Sequence, residues 1–348
     1  MDTIITFGET MLRLSPADSG ERLSQASSFR VEPGGSESNV AIALAALGHS
    51  VRHVTRLPDN PLGELVARQL RKYGVDVTGI ERSPHRVGCY WTEIGVGPRA
   101  SRVIYDRADS GFATWTAAEI DWQAVFSGAD RFHCSGITLG LSESARDALI
   151  AGLERTPSGM RVSIDLNFRK ALWGNVTEDA QEKLWDCYAK CCERCDVILG
   201  NETDFEDALG LRAGDGKEAV DRYTPVAEAL FERFERTRTV GVSLRRSASA
   251  TENGWSGLLF QRTAAGLESY RGAEYELDAI VDRVGSGDSF AAGILHGLTT
   301  YPDDSQRTLD FAVTFSALKH TVRGDAGPFS EDEVWQTFRT GGSGRILR

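Results

Sequence analysis

Short runs of β-branched and aromatic residues alternate along this chain with longer stretches whose apolar positions recur every three to four residues. Thr3–Gly8 reads as a first strand ending at Gly8-Glu9, and Val40–Leu47 as a helix stopped by Gly48. Further on, the pattern predicts a strand at Val51–Thr55, a helix near Leu62–Tyr73 and a strand at Val75–Ile80. It then predicts a strand at Arg131–Ser135 and a helix capped by Ser142 with Glu143 in its first turn. Strands follow at Arg161–Arg169, Asp196–Leu199, Thr239–Leu244 (closed by a basic turn, Arg245-Arg246-Ser247) and Ser256–Gln261. Strands alternating with helices of about 10–15 residues indicate βαβ units and a largely parallel sheet. Residues 210–226 and 336–348 read as surface segments.

Two stretches break the alternation. Residues 10–33 hold short apolar alternations and a polar run, which suits a hairpin or flap. Residues 86–113 hold two strand-like runs, Val87–Ile94 and Ser101–Asp106, joined by Gly95-Val96-Gly97-Pro98-Arg99, with no helix after them. Two such insertions predict a small separate sheet over the active site, carrying Tyr90, Trp91, Arg102, Tyr105 and Arg107 toward a ligand or a second subunit.

Two glycine turns feed helix N-termini. Gly34-Gly35-Ser36-Glu37-Ser38-Asn39 opens the first predicted helix. Near the other end, Asp282-Arg283-Val284-Gly285-Ser286-Gly287-Asp288 runs into the apolar stretch Ser289–Gly293. Gly285 and Gly287 lack Cβ and let backbone approach a ligand, and the free N–H groups of a helix start bind phosphate or a developing anion. Asp288 sits inside that anion site, where a carboxylate is suited to accepting a proton; together they suggest phosphoryl transfer to a hydroxyl. An ordinary capped strand–helix turn is the plainer alternative. No Gly-Lys-Ser/Thr is present, and Phe290 stands where a dinucleotide fingerprint needs glycine. Arg169, at the carboxyl end of its strand, is placed to hold an anionic substrate group. Acids after Gly200-Asn201 suit a Mg²⁺–phosphate water shell, and Arg245 and Arg246 a triphosphate.

Composition narrows the class. The chain has 348 residues, 41% hydrophobic and 26% charged, enough for one large α/β domain or two ordinary ones. A net charge of −11 argues against nucleic acid or an anionic membrane as partner. No apolar run is long enough to span a membrane, and the amino end reads as a strand rather than a signal peptide, so a cytoplasmic protein is expected. Cys187, Cys191 and Cys195 share a helical face; one helix rarely supplies tetrahedral geometry, so packing is favoured over metal.

Together these stretches resemble the ribokinase-like (PfkB) carbohydrate kinase family over roughly 3–330. Gly34–Ala41 matches its first signature and Asp282–Phe290 its second. Within the family the chain is most similar to 2-keto-3-deoxygluconate kinases, through Gly136-Ile137, Asp165–Trp173 and Leu318–Asp325. The resemblance implies an α/β ribokinase-like fold, a central mostly parallel sheet flanked by helices, with a small β-sheet lid. It implies one kinase domain over 1–330, lid insertions at about 10–33 and 86–113, and a C-terminal segment 331–348. It implies ATP-dependent phosphorylation of the terminal hydroxyl of 2-keto-3-deoxygluconate, with the galactonate epimer as a second acid substrate. Carried over by position, Gly34, Gly35, Asn39, Tyr90, Tyr105, Arg107 and Arg169 hold the sugar acid. Asp288 is the base, and the N–H groups of Gly285, Ser286, Gly287 and Asp288 form the anion hole. Asn201 and Asp204 stand near Mg²⁺–phosphate, Arg245 and Arg246 by the triphosphate, and Gly324 by the adenine; Asp282 matches a residue near the monovalent-cation (K⁺) site of some members. Asp204 replaces the usual Glu, and Arg245-Arg246-Ser247 a more common glycine-rich turn. Relatives also suggest a homo-oligomer built through the lid. Two alternatives stay open: a kinase of a neutral sugar such as fructose, which gains nothing from Arg107 and Arg169, and a non-catalytic sugar-binding regulator, which has no need of Asp288.

Overall fold

In the computed structural model, which describes residues 2–18, 20–174 and 178–342, two sheets organise the chain. The strands in order are β1 (Thr3–Phe7), β2 (Met11–Pro16), β3 (Phe29–Gly34), β4 (Ser50–Pro58), β5 (Ile80–Ser83), β6 (Cys89–Glu93) and β7 (Arg102–Asp106). Then come β8 (Arg131–Ser135), β9 (Arg161–Asp165), β10 (Val197–Asn201), β11 (Thr239–Ser247), β12 (Asn253–Thr263), β13 (Gly266–Arg271) and β14 (Tyr275–Leu277). The large sheet runs β13-β12-β11-β10-β9-β8-β1-β4-β5, with β14 also on β12. From β11 to β5 all neighbours are parallel; β12, β13 and β14 close one edge antiparallel.

The central strands are buried on both faces, which suits near-continuous apolar sequences such as Val197–Leu199. Alternate residues serve opposite cores. Ile5, Phe7 and Ile198 join one with Trp122, Leu149 and Tyr188, while Ile4, Val197 and Leu199 join the other with Leu44, Phe290 and Phe311. Each such side chain contributes about 1.5–3 kcal/mol. On the second face the helices Ser286–Thr300 and Ser305–Lys319 pack very closely: a Cβ on Gly293 would lie 2.5 Å from Ala312 Cα. That tight pair fixes where the first of them starts.

The small sheet is β3-β2-β6-β7 and draws on both insertions. It is mixed: the two hairpins are antiparallel, and β2 joins β6 in parallel, pairing Arg13 with Tyr90. The residues 10–33 are thus the hairpin of the two readings offered for them.

Several boundaries differ from the expectation. The helix expected from Val40 starts at Ser36, because the second glycine, Gly35, is already its N-cap. The strand expected at Val75–Ile80 is only a bridge, Arg52 to Asp76, and the true strand begins at Ile80. β9 ends at Asp165 because Asn167 turns into the left-handed region at φ 38°. Arg245-Arg246-Ser247 is no turn; these residues stay in β11, paired with Trp255, Gly254 and Asn253 of the long neighbouring strand. Two expected surface segments contain helices, Ala219–Arg233 and Glu331–Arg339. The latter buries Val334 and sets Trp335 5.5 Å from Phe311, so this end packs into the main body; 343–348 lie outside the described residues. Cys191, Cys192 and Cys195 are free, buried and part of the first core. No His, Cys, Asp and Glu cluster suited to a metal occurs among the described residues.

Candidate active site

At the carboxyl ends of the parallel strands, beneath the small sheet, lies a cleft with a cavity of about 360 Å³. Two helix N-termini converge on it. Gly285 caps the helix Ser286–Thr300 at φ 83°, and a Cβ there would fall 1.8 Å from the Asp325 carbonyl oxygen, so only glycine fits. Nothing stands within 4 Å of a Cβ on Gly287, whose backbone faces open space. Asp288, in this first turn, is buried and held at both oxygens: Ser36 Oγ donates to Oδ1 at 2.7 Å and Asn39 Nδ2 to Oδ2 at 2.7 Å. Burial pushes its pKa up, against the two hydrogen bonds that pull it down. Asn167 Nδ2 donates to Ser36 Oγ at 2.9 Å, extending the chain of donors toward Asp288. Asn39 Oδ1 and Asn167 Oδ1 are buried acceptors with no partner, and both residues line the cavity. Two orphan acceptors flanking a carboxylate are what a ligand rich in hydroxyl groups would satisfy.

The other expected sugar-contacting residues arrive from the small sheet and from β9. Tyr90 and Tyr105 are cross-strand partners with rings 5.7 Å apart. Tyr90 is buried and donates to Asp325; burial, then the Asp325 charge, raises its pKa well above the ordinary tyrosine range. Gly34 lies under this hydroxyl, 1.9 Å from where its Cβ would stand, and does not itself line the cavity, whereas Gly35 does. Arg107 lines the cavity but is already matched: Glu9 Oε2 accepts from its Nε at 2.7 Å and stands 2.5 Å from Nη2. Arg169 is exposed at the cavity wall, its Nη1 donating among the described residues to the Phe168 carbonyl at 2.9 Å.

At the far end, Asn201, Asp204 and Arg245 line the cavity and Arg246 does not; Arg246 pairs with Glu276 in the surface beyond. The Asp204 carboxylate accepts from two backbone N–H groups, Asn201 at 2.9 Å and Phe168 at 3.1 Å, so it ties two loops together. Glu202 accepts from Arg245 N at 2.8 Å with one oxygen and lines the cavity with no second partner among the described residues. Arg283 also lines the cavity; burial, and then the nearby Arg245 charge, lowers its pKa.

Asp282 and Gly324 lie behind the wall. Asp282 receives Arg13 at 2.5 Å, Val284 N at 3.1 Å and Gly324 N at 3.3 Å, and Arg13 also bonds Asp325. Lys319 Nζ donates to the Asp282 carbonyl at 2.9 Å. Burial disfavours charge on Arg13, but Asp325 and Asp282 outweigh it and hold its pKa above the ordinary value. The cation beside the Asp282 carboxylate is therefore a guanidinium from the small sheet. Sequence reasoning did not single out Glu9, Arg13, Asn167, Arg283 and Asp325 as contributors, and took Glu202 only as one of the acids after Asn201. Asn167, Arg283 and Asp325 carried a signal, lying inside stretches already quoted for the resemblance.

A family model described as pfkB family carbohydrate kinase matches residues 1–237. The chain belongs to the pfkB family of carbohydrate kinases. Similarity to relatives continues past that match and spans the Asp288 turn. A 2-dehydro-3-deoxygalactonokinase of Haloferax volcanii is 34% identical over 343 residues, covering 98% of each chain. A 2-dehydro-3-deoxygluconokinase of Thermoproteus tenax is 29% identical, over 93% of this chain and 90% of its own. Among solved structures, a 2-dehydro-3-deoxygluconokinase of Thermotoga maritima superposes with a TM-score of 0.88 at 39% identity, covering 97% of this chain and 98% of that one. The pfkB kinase chain thus has its ribokinase-like fold and carbohydrate kinase class from several independent comparisons.

Proposed function

We propose that this pfkB kinase transfers the γ-phosphoryl group of ATP to the terminal hydroxyl of 2-keto-3-deoxygluconate (2-dehydro-3-deoxygluconate), and of its galactonate epimer. The observation that carries the reading is Asp288, clamped by Ser36 and Asn39 at a helix N-terminus beside two unpartnered amide oxygens. Asp288 takes the proton of the acceptor hydroxyl, and that oxygen attacks the γ-phosphorus. The bond to the bridging β,γ oxygen breaks, and ADP leaves with the electron pair. The N–H groups of Gly285–Asp288, with the dipole behind them, meet the charge that grows on the transferring phosphoryl. A pKa raised by burial keeps Asp288 closer to neutrality than a surface carboxylate and makes it a better proton acceptor once ionised.

The acid substrate rests on Arg169. Because Glu9 neutralises Arg107, Arg169 is the cation at the sugar end without a carboxylate partner among the described residues. A substrate carboxylate is the economical match. The substrates in the names of the Haloferax, Thermoproteus and Thermotoga proteins support the same choice.

The polyphosphate end suits ATP. Arg245 and Arg283 approach each other with no ion pair to either among the described residues, and an anion between them removes the repulsion. Carboxylate and amide oxygens at Glu202 and Asn201 fit the outer shell of Mg²⁺, which neutralises phosphate charge when bound. We further propose a cytoplasmic enzyme, since the proposed reaction consumes ATP; no helix among the described residues is long and apolar enough to cross a membrane. A dimer through the small sheet fits as well, where Phe29, Val31 and Ile104 leave apolar surface uncovered.

The test is an ADP-release assay with ATP and Mg²⁺ on 2-keto-3-deoxygluconate, 2-keto-3-deoxygalactonate, fructose and ribose. Turnover on the two acids alone is expected. Turnover confined to a neutral sugar keeps Asp288 but removes the role given to Arg169, and sugar binding without turnover on any of them favours a regulator.

A further inference from the structure

A second cavity, of about 390 Å³, opens at the other end of the large sheet, where the parallel strands begin. Register builds its floor. Arg131 and Arg161 are the first residues of β8 and β9 and stand directly opposite each other, and Val197 pairs with Thr239 where β10 and β11 start. Paired residues share a sheet face. The opposite wall is Leu295 and Leu298, from the last turns of the helix whose first turn carries Asp288.

The charge on this cavity is unlike that of the chain. The protein carries −11, yet Arg131, Arg161 and Arg238 all line the space. Like charges directly opposite in a sheet destabilise it, and burial followed by the Arg161 charge lowers the Arg131 pKa. Arg131 has a partial remedy in Asp2, 3.2 Å away. The lining carboxylate Asp196 takes Arg236 at 2.9 Å and Val162 N at 2.7 Å, both at Oδ2, so its charge is already shared with a fourth arginine. Arg161 and Arg238 have neither an ion pair nor a side-chain hydrogen bond among the described residues. Guanidinium groups with spare donors on one side and leucines on the other select an anion that also has an apolar body. The partial negative charge of the helix C-terminus is outweighed by the two arginines without an ion pair, Arg161 and Arg238.

We propose that this cavity is a second ligand site, distinct from the catalytic cleft, that binds a small organic anion. The phosphate or carboxylate group lies between Arg161 and Arg238, and the body rests on Leu295 and Leu298. The site needs no knowledge of which sugar the cleft phosphorylates, so it stands or falls separately from that reading.

Isothermal titration of the full-length protein with phenyl phosphate, with and without saturating ATP, tests it. Phenyl phosphate is expected to bind at a site that ATP does not compete for. The R161A/R238A variant should weaken that binding on the order of tenfold or more, the loss expected for hydrogen bonds to charged groups. Its kinase turnover should match wild type, which also reports that it is folded; R238A alone, an exposed single change, serves if the double variant is unstable. An R245A/R283A variant should keep the ATP-insensitive binding. Absence of ATP-insensitive binding in wild type, or its persistence at full strength in R161A/R238A and R238A, overturns the proposal. Equal affinity for inorganic phosphate and phenyl phosphate overturns the assignment of the apolar wall.

Discussion

At the sugar end of the cleft, Glu9 with Arg107, and Arg13 with Asp282 and Asp325, are buried ion pairs, and Asp288 is held at both oxygens. At the nucleotide end, Arg245 and Arg283 face the cavity with no ion pair to either among the described residues. The difference matches the ligands proposed for each end. A sugar brings hydroxyl groups that compete poorly with water, so its acceptors must be pre-placed and dry. A polyphosphate brings its own charge, so that end need only leave cations waiting. Arg13 links the ends: it reaches from β2 in the small sheet to Asp282 and Asp325, which flank the Gly285 turn.

The comparison breaks most sharply at Asp288. Asp288→Asn keeps the hydrogen-bonding shape but not the base, and kcat should fall by about 10²–10⁴. In wild type, kcat/KM should decline as pH falls through the raised Asp288 pKa, and the residual rate of the variant should lack that limb. A variant that retained wild-type turnover would sink the assigned base.

Glu37 sharpens the contrast through stability. Buried in the first turn of Ser36–Ala46, with Ser135 Oγ donating at 2.7 Å, it has its pKa pushed up to about 7 by burial. The unfolded chain releases this proton near 4.5, the folded one near 7, so the group's stabilising contribution is full below the first value and lost as pH rises to the second. Relative to Glu37→Gln, wild type should therefore lose on the order of 3 kcal/mol between those limits. Urea melts of both proteins at pH 5 and 8 measure it, and a pH-independent difference would refute the titration.

Arg169→Ala should raise KM for the sugar acid about 10- to 100-fold with a smaller effect on kcat, as for a lost hydrogen bond to a charged group. An unaltered KM would mean that Arg169 does not meet the carboxylate. Smallest of all, Arg283→Ala should raise KM for ATP by about fivefold, whereas Arg246→Ala, whose pair with Glu276 is largely exposed, should change it by less than about twofold. A reversed order in steady-state kinetics would move the triphosphate out of the cleft and along β11.

How much of this was legible in the sequence depended on whether the constraint was local. The Asp288 turn was legible because Gly285, the helix start and the carboxylate lie within four residues, and β10 because Val197–Leu199 is an unbroken apolar run. The strand expected at Val75–Ile80 failed because the alternation of Val75 and Val77 does not record pairing: only Asp76 bridges to β4, and the ladder begins at Ile80. Arg245 and Arg246 looked alike in sequence, yet alternation along β11 sends one into the cavity and the other outward.

By itself, then, the sequence determined the α/β alternation, the two insertions, the paired glycine turns and the carboxylate of Asp288 at the second of them, since each is written in residues close along the chain. Only the tertiary structure decided which charges are spent and which are free. Arg107 is neutralised by Glu9 98 positions away, Arg13 by Asp325 312 positions away, and Asp288 is clamped from 252 positions away by Ser36. A charge's chemistry depends on its neighbours in space and its distance from water, and neither is set until the sheet has brought those distant segments together.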